Sequence, residues 1–170
     1  MVDFSLVRRD VTKPGLVALV LSLSLAAPVV AGPLEEGVAA AKRGNYARAM
    51  RLLRPLADQG DASAQYDLGL MYAKGQGVPQ DYAEAVKWFR KAADQGDPSA
   101  QYDLGVLYAE GQGVSQDYVQ AHKWITLAAD QLSAGVVHDQ AVKARDLVAA
   151  DMTPEQIAEA QKLARECKPK

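Results

Sequence analysis

The feature that most constrains this 170-residue chain is a repeated segment. Residues 60–95 are followed at once by a near copy, residues 96–131, and 25 of the 36 aligned positions are identical. A unit of this size that recurs at a fixed period buries its apolar face only against its neighbours, which is how a solenoid is built. The expected fold is therefore a solenoid of stacked units.

Each unit reads as two helices. Ala64, Leu68, Met71 and Tyr72 are spaced i, i+4, i+7, i+8 and make one stripe on the first. Asp61 is placed to cap it, as is Asp97 in the copy, where Pro98 suits the first helical position because its missing N–H would have no partner there. Gly75, free to adopt the left-handed conformation, ends the helix, and Val78-Pro79 prevents its continuation. The second helix starts at Asp81, with Glu84 three residues on in a D-x-x-E arrangement like a capping box; the copy has Asp117 and Gln120. Its stripe is Tyr82, Ala85, Phe89, Ala92 and Ala93. Gly69 and Ala85 are expected to let the two backbones approach, with Tyr72, Trp88 and Phe89 filling the space beyond.

These residues spell A-x-x-x-L-G-x-x-Y-x-x-G-x-G-V-x-x-D-Y-x-x-A-x-x-W-x-x-x-A-A, which resembles the Sel1-like repeat, a longer relative of the tetratricopeptide repeat. Both copies match it throughout. The resemblance implies an all-α fold, a right-handed α-solenoid of helix-turn-helix repeats with C-terminal capping helices, and a scaffold that assembles other proteins and usually catalyses nothing.

Residues 1–31 read as an export signal. Arg8, Arg9 and Lys13 give a positive region, residues 15–27 an apolar stretch of 13 residues, and Val29-Val30-Ala31 a small-residue cleavage site. The stretch is short for a membrane span, so membrane attachment is expected only if the signal stays uncleaved. A periplasmic or secreted location follows. Its removal takes three basic and two acidic residues and leaves 16 against 19, a net charge of −3. This weak negative balance argues against nucleic-acid binding.

Residues 32–59 read as a shortened, tetratricopeptide-like pair, with helices at 34–43 and 46–59. Gly37 aligns with Gly69 if the turn at Gly44-Asn45 is shorter by 4 residues. Terminal units of an array are expected to be atypical. The period fails after Gln131, and residues 132–170 are expected to form the cap. Val137, Ala141, Ala144 and Val148 propose one helix, and Thr153, Pro154 and Gln156 a boxed start for the last, with Ile157, Ala160, Ala164 and Cys167 along one face.

No catalytic constellation, metal motif or cofactor motif is visible. His122 and His138 lie on different elements, and His122 stands where the preceding copy has Val86, so a packed or exposed side chain is the expected role. Asp67 and Asp103, one period apart, are expected to stand one above another on a solvated face. Gly75-Gln76-Gly77 and its copy follow a helix, not a strand, and lack the Lys-Ser/Thr of a phosphate loop. Cys167, the only cysteine, excludes an internal disulfide and is expected to pack as a small hydrophobe.

The expected function is an exported, non-enzymatic scaffold binding a protein or extended peptide. Alternatives are a regulatory subunit or enzyme of cell-envelope (peptidoglycan) metabolism, or a structural homo-oligomer. As in related superhelices, binding is expected on the inner surface lined by first helices. The candidate positions are Tyr66, Leu70 and Lys74 in one unit and Tyr102, Val106 and Glu110 in the next. Tyrosine suits an interface because it combines apolar area with a polar tip; the alternative is that Tyr66 and Tyr102 pack between repeats.

Overall fold

Helix starts and stops are written into the side chains. Asp61 accepts a hydrogen bond from the Ala64 amide and Asp97 from Ala100, at 2.8 and 2.7 Å. Asp81 and Asp117 accept from the amides of Glu84 and Gln120, each at 3.0 Å. Gly75 and Gly111 end their helices in the left-handed region, at φ +64° and +67°. The D-x-x-E box forms only by half: the Glu84 carboxylate turns to Lys87 instead of back to the cap. A salt bridge one turn along the helix outcompetes the reciprocal bond. The complete capping box is at Thr153 and Gln156.

The computed structural model describes residues 32–167; the expected export signal lies outside the described residues. Eight helices are present among them: α1 (Pro33–Lys42), α2 (Tyr46–Asp58), α3 (Ala62–Lys74), α4 (Tyr82–Asp94), α5 (Pro98–Glu110), α6 (Tyr118–Gln131), α7 (Val136–Ala150) and α8 (Pro154–Glu166). They pair as α1 with α2, α3 with α4 and α5 with α6, and each pair stacks on the next through α2 with α3 and α4 with α5. Both α7 and α8 pack on α6. This is an α-solenoid of helix pairs with a two-helix cap.

A glycine on each first helix sets the spacing within a pair. A Cβ at Gly37 would lie 2.7 Å from Leu53, at Gly69 2.5 Å from the Phe89 ring, and at Gly105 2.6 Å from Ile125. Leu53, Phe89 and Ile125 are one period apart and each is at most 2% exposed. The tryptophans serve a different contact. Trp88 belongs to the core cluster formed with Ala40, Leu53, Leu68 and other residues of α1, α2 and α3, so it seals its own pair onto the preceding one. The Gly-x-Gly loop also joins units. Its second glycine sits against the start of the preceding second helix, Gly77 on Tyr46 and Gly113 on the Tyr82 backbone, where a side chain would collide.

Four expectations need correction. Val137 is 61% exposed, because α7 turns Ala141 and Val148 to the core and leaves Val136, Val137 and Leu147 outward. Cys167 is exposed just past the end of α8 instead of packed. Asp67 and Asp103 are half-buried, not on a solvated face. Trp88 fills the seam between pairs more than the space inside its own. His122 is buried at 3% exposure, with Thr126 Oγ1 3.3 Å from its Nδ1, and burial and nearby Arg145 hold its pKa below the usual value.

Candidate partner-binding face

The triplet Gln-Tyr-Asp, at residues 65–67 and again at 101–103, sits on the first helix of each long repeat. Each of its members reaches a neighbouring element. The buried Gln65 donates to the Ala57 carbonyl of the preceding pair at 3.0 Å and accepts from Gln95 at 2.7 Å. Gln101 repeats this with Ala93 and Gln131 at 3.1 and 2.8 Å. A carbonyl at the end of one second helix is thereby tied, through a buried amide, to the end of the next. Sequence reading missed this relay; its signal was a glutamine inside an otherwise apolar helical stripe at the same place in both copies.

The tyrosine follows the same logic. The Tyr66 ring packs on Phe89 with centroids 5.7 Å apart, and its hydroxyl faces Asp103 of the next repeat. Burial first, and then the Asp103 charge, push the Tyr66 pKa well above the usual phenol range. Burial likewise raises the pKa of Asp103, opposed by the Tyr66 hydroxyl and by Lys74. Asp67 lacks such a donor, since the aligned residue on the shorter α1 is Leu34. Burial and the charges of Asp97 and Asp61 raise its pKa to about 6 against the pull of Lys42. Among the described residues no Lys or Arg comes within ion-pair distance of Asp67 or Asp103. Asp139, one period beyond Asp103, turns to His138 at 3.2 Å.

Tyr66 and Tyr102 line one pocket of about 160 Å³ where α3, α5 and α7 meet, together with Pro98, Ser99 and Asp103. Leu132, Val137 and Gln140 of the cap close its far side. The other four candidates are elsewhere. Leu70 is half-buried against the core, Val106 is half-buried, and Lys74 and Glu110 are exposed at the ends of α3 and α5. The Tyr66 and Tyr102 side chains pack between repeats and keep part of their surface in the pocket. Asp103, a period and one residue beyond Tyr66, was expected on a solvated face and instead lines this pocket. No group of His, Cys, Asp and Glu among the described residues is arranged to hold a metal ion, and no helix there is long and apolar enough to cross a membrane.

The fold and the spacing of these contacts define a helical-repeat protein. Residues 32–61, 62–97 and 98–131 match the Sel1 repeat, so most of the chain is covered and it belongs to the Sel1 repeat family. Proteins of this family generally mediate protein–protein interaction, and the fold is typically a non-catalytic scaffold. Two solved structures are similar. One is a protective antigen of uropathogenic Escherichia coli with an SLR fold, at 29% identity and a TM-score of 0.72 over 79% of this chain. The other is a Sel1 repeat protein from Oxalobacter formigenes, also at 29% identity over 79% of this chain, with a TM-score of 0.63. The matches span 29% and 56% of those two chains. A comparison with curated proteins gave no match.

Proposed function

We propose that the chain is an exported, non-catalytic adaptor that holds a protein or extended peptide on the face built from its first helices. The observation that carries this reading is the pocket shared by Tyr66 and Tyr102 on successive repeats, aromatic surface held in place by Phe89 and by the cap. Two tyrosines at equivalent repeat positions offer a ligand running along the array similar contacts at a regular spacing. Export is supported by the basic region, the 13-residue apolar stretch and Val29-Val30-Ala31.

Crosslinking of the full chain in a cell-envelope extract, with the crosslinked residues mapped, tests the reading. The expected result is a partner joined to α3 and α5, lost in the Tyr66→Ala/Tyr102→Ala variant and weakened by Lys74→Glu with Glu110→Lys, substitutions at exposed sites that leave the packing alone. Crosslinks confined to the second helices would overturn it. The mass of the chain recovered from an exporting bacterium tests the location: the mature form is expected to begin at Gly32.

A further inference from the structure

The pocket between α3, α5 and α7 restricts what a partner can place in it. Its volume of about 160 Å³ is just above a cavity of roughly 150 Å³ that takes up benzene, and below the roughly 300–1,000 Å³ of small-molecule sites. That leaves room for one side chain. Two tyrosine rings, Leu132 and Val137 supply apolar wall, and Asp103 supplies a carboxylate.

The carboxylate decides the chemistry. Asp103 has given up much of its contact with water, yet no described Lys or Arg pairs with it, and Lys74 acts only across space. Asp97, which caps α5, adds negative charge beside it. An apolar side chain in the pocket would strip the remaining water from Asp103 and return nothing, and an acidic one would be repelled. A cation on an aliphatic stem satisfies both walls, because aromatic faces also attract positive charge.

We infer that this pocket takes the side chain of one lysine or arginine of a bound peptide, its cationic head on Asp103 and its stem against the Tyr66 and Tyr102 rings. The assignment rests on the reading that the first-helix face binds a peptide, but its test needs no knowledge of the natural partner. The capped peptides acetyl-Gly-Ser-X-Ser-Gly-amide, with X lysine, arginine, norleucine or glutamate, are titrated into the full chain carrying ring-labelled tyrosine and followed by NMR. Lysine and arginine peptides are expected to shift the Tyr66 and Tyr102 signals and to bind at least tenfold more tightly than norleucine, with glutamate producing no shift.

Asp103→Asn is expected to erase the lysine-over-norleucine preference. Gln140→Lys, at the exposed rim on α7, tests the same point without touching the half-buried carboxylate: it is expected to weaken the lysine peptide more than tenfold and leave norleucine unchanged. Equal binding of norleucine and lysine, or lysine binding that moves neither tyrosine, would overturn the inference. If the natural partner crosslinks to α3 and α5 while norleucine binds as well as lysine, the cation assignment falls and the adaptor reading stands. If the peptides behave as expected while the partner crosslinks to other helices, the reverse holds.

Discussion

Gly69 on α3 lies against the Phe89 ring of α4 so closely that a Cβ would stand 2.5 Å from two ring carbons. Phe89 is 2% exposed and has no room to withdraw. Gly69→Leu is therefore expected to destabilise the chain by about 1–3 kcal/mol, the usual range for overpacking. Urea denaturation checks it. Gly69→Ala combined with Phe89→Leu is expected to be less destabilised than the two single changes summed, because the smaller ring position relieves the shared contact. Simple additivity would mean that the two residues do not limit each other.

Removing one amide from the glutamine relay breaks two hydrogen bonds. Gln101→Ala takes one bond from the Ala93 carbonyl, which still accepts from the Gly96 amide, and one from the Gln131 amide, which still donates to the Leu127 carbonyl, and the expected loss is about 1–2 kcal/mol. Gln101→Glu is expected to be worse, since it sets a carboxylate against a carbonyl. Both are read from denaturation midpoints. A change below about 0.5 kcal/mol would show that water replaces the relay without penalty.

Trp88 is 4% exposed, and its indole Nε1 has no acceptor within hydrogen-bond reach. Its contribution is thus area and packing, together with Lys91 Nζ lying 3.9 Å from the ring centroid. Trp88→Ala is expected to cost about 3–5 kcal/mol. Trp88→Phe keeps an aromatic face and loses no hydrogen bond, so it is expected to cost much less. Thermal melts of the two variants compare them directly.

Asp67 gives the chain a pH dependence of definite sign. Its pKa rises from 3.8 to about 6 on folding, from burial and the charges of Asp97 and Asp61. The folded chain therefore holds this proton more tightly than the unfolded chain, and in this group's contribution stability falls as pH rises between those two values. The destabilising effect is complete above pH 6 and absent below the unfolded pKa. Asp67→Asn is expected to raise the melting temperature at pH 7 and to leave it nearly unchanged at pH 3.5. An equal gain at both values would place the cause elsewhere.

How much of this was legible in the sequence depended on whether a residue's role repeats within one unit or reaches into the next. Caps at Asp61, Asp81, Asp97 and Asp117, the stops at Gly75 and Gly111, and the close approach at Gly69 all act within a single repeat, so local chemistry revealed them. Tyr66 and Tyr102 were found as a pair because their position recurs. The Gln65 relay, the contact of Asp103 with Tyr66 and the turn of Trp88 toward the preceding pair were not found, since each reaches into a neighbouring repeat in a direction that spacing alone does not give. Val137 and Cys167 were misread for another reason: the cap follows no period, and helical spacing names a stripe without saying how much of it a neighbour covers.

The seam between residues 95 and 96 presents matching ends. On its earlier side lie Ala93 and Gln95, and on its later side Gln101, the same set that Ala57 and Gln65 make one period before. A further copy of the unit inserted at that seam would meet the glutamine and the glycine-lined contact it needs on both flanks. At the far end no such welcome exists, because α7 and α8 already occupy α6. The molecule can thus grow longer from its middle while its capped end stays as it is, and the number of tyrosine-bearing steps along its first-helix face can change without redesign of any single step.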